Sequence, residues 1–324
     1  MNVDLKIITR VLAKRLSTVI SNIIKSNQTC VPGRHIFVNL PILQVIIDYI
    51  NGSNTNAAII FIDSEKACDC MSHSFLLKTL RHFGCGDNFI KWIKIIYDHC
   101  TARVKVNGFN SAPILVKRGI RQGCPLSSLL YVLCVEVLSL EISKNERIIG
   151  FKHGNDEYKN SDYADDLSCL VTDQNSIEEP FETLNKFGKA TNSKVNVDKT
   201  KAIWVGNWKQ NEDIPNNLKW TNVMVKNLGI YIGNNRKEID KSSFLEAKDK
   251  IKDKLTFWTG KGISLKGKVR VINTFILPKL WYICEIHNIP EQIKNEIKQM
   301  ITHFIWEGYT NSLLNLFNNR ISKK

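Results

Sequence analysis

The chain has no Cys-x-x-Cys pair, and its nine cysteines, at 30, 68, 70, 85, 100, 124, 134, 169 and 284, lack histidine partners at zinc-module spacing. An odd, unpatterned set of this kind excludes a zinc module and points to small buried thiols in a reducing compartment. There is no long hydrophobic run either. The best apolar helical stretch, residues 126–140, carries Glu136 and is too short to span a bilayer. No segment combines a dense basic face with aromatic anchors, which removes the case for a membrane surface. Internal repeats, low-complexity tracts and a secretory signal pattern are missing. Lys6, Arg10, Lys14 and Arg15 among apolar residues leave a mitochondrial presequence as the alternative reading of the start. An intracellular setting is expected, with no choice between nucleus and cytoplasm.

What the chain does have is positive charge. Its 324 residues include 45 Lys and Arg against 31 Asp and Glu, a formal charge of +14. Such a balance implies a polyanionic partner, because Lys and Arg contacts to phosphates release counterions and supply sequence-independent affinity. With 43% hydrophobic residues the chain can bury a core for one large domain or several lobes. From Arg236 onward there are 17 Lys and Arg against 9 Asp and Glu. Lys248, Lys250, Lys252 and Lys254 alternate with Asp249 and Asp253, which suits a self-compensated helix face as well as a phosphate surface. Lys261, Lys266, Lys268 and Arg270 have little acid nearby and make the better phosphate contacts. Trp258, Trp281 and Trp306 fit packing more readily than base stacking.

Periodicity predicts helices over residues 5–24, 37–50, 89–97 and 126–140, one capped by Ser72 and stopped at Gly84, and mostly helix after Lys241. Strands are expected at 57–62, 102–106 and 167–172, with a turn at Asn107-Gly108 and a polar linker over 206–217.

Tyr163-Ala164-Asp165-Asp166 puts two adjacent carboxylates on a short turn before an apolar strand. At about 4 Å such charges repel by roughly 4 kcal/mol at an effective dielectric of 20, so a neutralising divalent cation is one explanation and a solvated turn the other. Asp63 ends the apolar run 57–62, as a site acid at the mouth of a buried strand or as a strand-end turn former. If the two segments are neighbours, three carboxylates converge, as a two-metal site for in-line phosphoryl displacement requires.

The order of Phe61-Ile62-Asp63-Ser64-Glu65-Lys66-Ala67-Cys68-Asp69, Arg121-Gln122-Gly123-Cys124-Pro125-Leu126-Ser127 and Tyr163-Ala164-Asp165-Asp166 resembles the reverse transcriptase of LINE-type, non-LTR retrotransposons. Gln28-Thr29 with Pro32-Gly33-Arg34 and Asn39 is similar to its fingers motif, and Asn196 to Lys201 to the element after the YADD hairpin. Leu228-Gly229-Ile230 resembles the primer grip, and 258–306 the thumb.

The resemblance implies an α+β right-hand polymerase. Partial fingers would occupy 1–56, a palm strand with the first aspartate 57–72, fingers and palm helices with a hairpin 73–112, the YADD palm and primer grip 113–235, and a truncated helical thumb 236–324. It also implies an RNA-directed DNA polymerase that joins dNTPs to a DNA primer on an RNA template. Asp63, Asp165 and Asp166 would be the catalytic ligands of two Mg²⁺ ions, with Mn²⁺ as the alternative. Arg34 would reach the triphosphate, Cys68, Gln122 and Gly123 would line the nucleotide, and Lys199 would sit near the leaving phosphate. Leu228, Gly229, Lys261, Lys266, Lys268 and Arg270 would contact nucleic acid. Glu65, Asp69 and His73 read as structural.

Departures from the pattern are specific. Cys68 stands where a bulky aromatic normally blocks a ribose 2′-hydroxyl, so weak sugar discrimination is expected. Segment 28–34 is one residue short, Ser128 replaces a frequent proline, and Asn192-Ser193 stands where glycine is common. With the expected truncation at both ends, these departures leave a decayed nucleic-acid-binding remnant or an unstable pseudogene product as the alternative function.

Overall fold

The computed structural model describes residues 2–53, 55–65, 67–211 and 215–306. Residues 212–214 of the expected linker and 307–324 of the expected thumb lie outside them. The chain divides into two compact units between Leu228 and Gly229, ahead of the expected thumb start at 236. The segments expected as fingers and most of the palm form one unit together.

In the first unit the apolar run 57–62 becomes β1 (Asn56–Ile62), every residue after Asn56 buried. β-Branched side chains on both faces favour a strand sandwiched between layers. β1 is the middle of a five-stranded sheet with β2 (Asn160–Tyr163), β3 (Asp166–Val171), β4 (Lys201–Gly206) and β5 (Lys219–Thr221), in the order β5-β4-β1-β3-β2. β1 runs antiparallel to β3 and β4, and β5 is parallel to β4. Gly206 closes β4 with φ 70°, and a Cβ there would overlap the Thr55 carbonyl oxygen.

One sheet face, through Ala58, Ile60 and Ile62, packs on Leu138 and Ile142 of the helix Ser127–Lys144 and on Leu184 of the helix Glu179–Thr191. The helix Ile36–Gly52 lies against β4 and β2. A second cluster joins Leu12 and Leu16 of Val3–Ser17 to Leu76 and Leu80 of His73–His82, Ile93 of Asp87–Tyr97 and Leu130. Burying each large aliphatic side chain stabilises by about 1.5–3 kcal/mol, so these two clusters set the sheet's surroundings firmly.

Several expected elements change shape. The helix over 5–24 breaks after Ser17 and resumes only at Ile20–Ile23. The strand over 102–106 is two short pieces, Thr101–Ala102 paired with Ile114–Leu115 and Lys105–Val106 paired with Phe109–Asn110. The second pair closes on Asn107 and Gly108, both at positive φ, which is the usual chemistry of a tight hairpin. Asn192, in place of the common glycine, caps its helix at φ 66° and shows that Asn tolerates the left-handed conformation there.

The second unit packs the helices Arg236–Trp258, Leu265–Val271, Leu277–Cys284 and Glu291–Ile305 around Phe244, Ile251, Leu255, Ile276, Ile297 and Phe304. Asn235 caps the first of these by accepting from the Glu238 N–H. A π-helical turn, Ile272–Ile276, precedes Pro278, whose missing N–H suits the start of the next helix. Trp258 is half-buried in the core, whereas Trp281, expected to pack, is 57% exposed.

Candidate active site

Strand register decides where the acids fall. Ile62 of β1 pairs with Leu167 of β3, so the next residue, Asp63, comes level with Asp166. Asp166 in turn pairs with Tyr163, which leaves Ala164 and Asp165 as the two-residue turn between β2 and β3. Ala164 adopts φ 52°, a conformation that costs a residue with a Cβ roughly 1–2 kcal/mol. All three aspartates therefore share one end of the sheet.

They also share a field. The Asp166 carboxyl is pushed up to about 6, first by burial and then by the charges of Asp165 and Asp63. As the side chains stand, no three His, Cys, Asp or Glu among the described residues close into a cage for one ion. The expected convergence is thus one of backbone position and electrostatics. Mg²⁺ asks for no more, because it keeps several waters and takes one or two carboxylates plus substrate phosphates. Hard oxygen donors that hold one of their number close to protonation fit such a cation, which relieves both the burial penalty and the like-charge repulsion.

Asp63 is fixed through its backbone. Its N–H donates to Thr200 Oγ1 at 3.2 Å and its carbonyl accepts from the Asn196 N–H at 2.8 Å. Ser64 and Glu65 pair with Val195 and Lys194, so the turn carrying exposed Lys199 is tied to the acid end.

Cys68 joins the same group: though exposed, its thiol is pushed up to about 11 by partial desolvation, then by Asp165 and Asp69. Segment 119–122 is layered on 68–71 by Ile120 N–H to the Cys68 carbonyl, 2.7 Å, and Gly119 N–H to that of Met71, 2.8 Å. Only glycine fits at 119, where φ is 92° and a Cβ would stand 2.7 Å from the Asp69 carbonyl oxygen. Gln122 Nε2 donates to Asp69 Oδ1 at 3.1 Å, so Asp69 orients the neighbouring Gln122. Gly123, at φ 71°, has open space where a Cβ would point. His73 bonds the Gly119 carbonyl at 3.0 Å, which agrees with its structural reading.

Arg34 does something else. Its guanidinium donates to the carbonyls of Ile24, Ser26 and Gln28 at 2.8, 2.7 and 3.0 Å, because the bend at 24–28 leaves those oxygens without strand or helix partners. In this state it holds a loop rather than facing solvent for a triphosphate.

The sequence marks Gln28 only as part of the fingers-like motif, with no role at the acid end, and gives no sign of Tyr131 there. Tyr131 is buried on the helix Ser127–Lys144, its hydroxyl pushed up by burial, then by Asp165 and Cys68. It was hidden inside an apolar helix pattern. A cleft of about 810 Å³ beside the turn is lined by Asp165, Tyr131, Arg118, Leu184 and Phe187.

In the second unit, Lys266 and Arg270 are exposed. Lys261 lies over the Phe257 ring at 4.6 Å. Lys268 is half-buried, 5.3 Å above the Phe304 ring. Lys248 and Lys250 are compensated, but by Glu296 of another helix and by Glu246 rather than by the alternating Asp249 and Asp253. Leu228 and Gly229 both carry positive φ, 49° and 82°.

Residues 1–232 match the family model described as reverse transcriptase (RNA-dependent DNA polymerase), and the chain belongs to that family. Its relatives are transposon proteins of the non-LTR kind. It is 27% identical over 313 residues to the transposon TX1 uncharacterized 149 kDa protein of Xenopus laevis, covering 95% of this chain and 24% of that protein. It is 23% identical over 202 residues to the Pol polyprotein of the type-2 retrotransposable element R2DM of Drosophila melanogaster, covering 60% of this chain and 19% of that one. The chain therefore spans about a quarter or less of these relatives. Among solved structures, telomerase from Candida albicans with a fragment of telomeric RNA overlays at a TM-score of 0.54 and 14% identity, over 95% of this chain and 55% of that chain. The Candida tropicalis enzyme gives 0.52 and 11%, over 93% and 55%. These likenesses establish the fold, a mixed helix and sheet architecture of the polymerase right-hand type.

Proposed function

We propose that this chain is the RNA-directed DNA polymerase core of a non-LTR retrotransposon, extending a DNA primer on an RNA template with dNTPs inside the cell. The observation that carries the reading is the alignment of Asp63, Asp165 and Asp166 at one end of a buried sheet, where burial and its two acidic neighbours hold Asp166 near 6. Mg²⁺ or Mn²⁺ bound there would lower the pKa of the primer 3′-hydroxyl and neutralise the phosphates.

The chain's own contribution is position and charge. Cys68 would face the sugar, the open side of Gly123 would let the backbone approach the nucleotide, and Gln122 would be held ready by Asp69. Lys199, on the turn bonded to Asp63, would meet the leaving phosphate as a cation or proton donor. Lys261, Lys266 and Arg270 would grip phosphates without reading sequence, as a thumb from about 236 onward. The shortened segment 28–34 still forms a hydrogen-bonded loop, which speaks against the remnant reading.

Primer extension tests it. The purified chain with a primed RNA template, dNTPs and Mg²⁺ should give template-dependent product that disappears with chelator and in Asp165→Asn. A wild type that melts cooperatively, binds primer–template and extends nothing would leave only a binding protein.

A further inference from the structure

Gln28 is fully buried, and its side-chain amide spans both backbone groups of a single residue. Oε1 accepts from the Ala164 N–H at 2.8 Å while Nε2 donates to the Ala164 carbonyl at 3.4 Å. Oε1 also accepts from the Cys30 N–H at 3.1 Å, which anchors the amide to its own loop. Ala164 is the strained residue of the turn, at φ 52°, and it stands directly before Asp165.

Neighbouring bonds extend the contact along β2, an edge strand whose outer side has no strand partner among the described residues. Asn27 Nδ2 donates to the Asn160 carbonyl, and the Thr29 N–H and Oγ1 donate to that of Asp162 at 3.2 and 3.3 Å. The loop is fixed from behind as well. Arg34 holds the carbonyls of Ile24, Ser26 and Gln28, and the buried Glu136 accepts from the N–H groups of Lys25 and Ser26 at 2.6 and 2.9 Å. The loop 24–29 is thus held at one end and presents one amide to the turn at the other.

We propose that Gln28 is a positioning residue for the aspartate turn: its amide holds Ala164 left-handed, and so fixes the direction in which Asp165 and Asp166 leave the sheet. Arg34 and Glu136 serve the same clamp from the far side of the loop. A left-handed residue with a Cβ relaxes toward negative φ unless its surroundings hold it. Loss of the amide therefore frees the turn, while the buried strand β3 beyond it keeps the unit folded.

This inference rests on the polymerase reading, and its test separates the two. Gln28→Met preserves volume and removes both bonds to Ala164 together with the one from the Cys30 N–H. Expected is a fall in kcat of about 100-fold with KM for dNTP changed less than about threefold, the size that small misplacement of catalytic groups produces. Half-saturation by Mg²⁺ should rise about tenfold with the freed carboxylates, and Mn²⁺ binding followed by electron paramagnetic resonance should weaken in parallel. Ala164→Gly in the Gln28→Met background should recover about tenfold, because glycine takes positive φ without strain. The Ala164 amide hydrogen, followed by NMR exchange, should be protected in the wild type and lose protection in Gln28→Met.

Unchanged kcat with a lowered melting temperature would make Gln28 merely structural and overturn the proposal. So would a loss carried by KM, or one that Ala164→Gly leaves untouched. If the wild type extends no primer, the polymerase reading fails, and Mn²⁺ binding and amide exchange still judge the clamp. If Gln28→Met does not fold, a wild-type Ala164 amide that exchanges as fast as that of Asp165 overturns it, and a protected one supports it.

Discussion

The polar side chains around the acid end in residues 1–228 and the thumb-like cations in residues 229–306 are held in different ways. In the first unit the side chains of Gln28, Arg34, Thr200 and Glu136 are bound to backbone groups, and each bond bears on the turn, the loop behind it or the acid that flanks it. In the second, Lys266 and Arg270 stand exposed, while Lys248 and Lys250 satisfy carboxylates of their own unit. The difference follows from what each task tolerates. In-line displacement is sensitive to misplacement of about 1 Å, so its groups must be held by buried bonds. Attraction to phosphate acts over a screening length of about 10 Å at 0.1 M salt, so mobile exposed cations serve. Single changes should therefore be severe at the acid end and mild among the surface lysines.

The largest effect is expected from Asp165→Asn, at least about 10³-fold in extension rate with the melting temperature little changed, as loss of a group acting in the transition state requires. Asp166→Asn should match it in rate and also raise the melting temperature, because it removes a half-buried carboxylate that its neighbours repel. Extension assays and calorimetry on both variants check this. Activity retained within about tenfold in either would erase the contrast between the units.

Second comes pH. Asp162 is fully buried, with Ser139 and Asn160 donating to one carboxylate oxygen, and burial leads the causes that push it up to about 6. A carboxyl raised in the fold is favoured protonated, so stability is lower at pH 8 and recovers as pH falls through 6 toward the unfolded value near 4. A two-unit shift corresponds to about 3 kcal/mol for Asp162, with Asp166 adding in the same direction. Asp162→Asn should flatten much of that slope in denaturant melts, and Mg²⁺ at neutral pH should counter the Asp166 part. The second unit runs the other way. Glu296 is lowered by its hydrogen bond from Lys248, and its small contribution is lost only as pH falls below the ordinary carboxylate range. Because the buried His287 is lowered and works against this rise in the same window, the check is the difference: a wild-type slope between pH 7.5 and 5 equal to that of Asp162→Asn would mean that the acid end is better solvated than its burial implies.

How much of this was legible follows from the range of each interaction. The strand ending at Asp63 and the turn at Asp165-Asp166 are written locally, in β-branched runs and a two-residue hairpin. Gln28 reaches across 136 residues to Ala164, and no periodicity marks such a contact. Arg34 shows the same limit from the other side. The family resemblance implied a fork for the triphosphate, whereas only the fold reveals three carbonyls within its reach. Tyr131 was legible as a core residue of an apolar helix, but its nearness to Asp165 depends on how that helix packs under the sheet. The division at Leu228/Gly229 falls ahead of the expected thumb start because the strand Ile230–Gly233, which reads as palm in sequence, belongs to the helical unit.

Third in size is the effect at Cys68, which tests whether the acid end selects its sugar. A thiol occupies less space than an aromatic ring, so a ribose 2′-hydroxyl should meet little resistance there. Cys68→Phe should improve discrimination of dNTPs from NTPs by about 10- to 100-fold in kcat/KM, the scale on which a steric pocket separates near-isosteres. Competition assays with both nucleotide types on one template read it directly. Equal discrimination in the two proteins would show that another residue walls the sugar.

The smallest effects should lie among the exposed cations, and they test the other half of the contrast. Lys266→Gln and Arg270→Gln should each weaken primer–template binding only a few-fold, equally for all sequences, and each should lower the salt slope by about 1 if it removes a phosphate contact. Lys248→Gln should leave the slope unchanged, because its ammonium is already held at 2.7 Å by Glu296. Lys268→Gln should fall between them, since the side chain is half-buried beside Phe304 and gives up packing there to reach a phosphate. Binding measured at several salt concentrations separates these cases where a single affinity would not. A steep loss from Lys266→Gln alone would mean that the helical unit, too, places one cation with the accuracy otherwise confined to the aspartate turn.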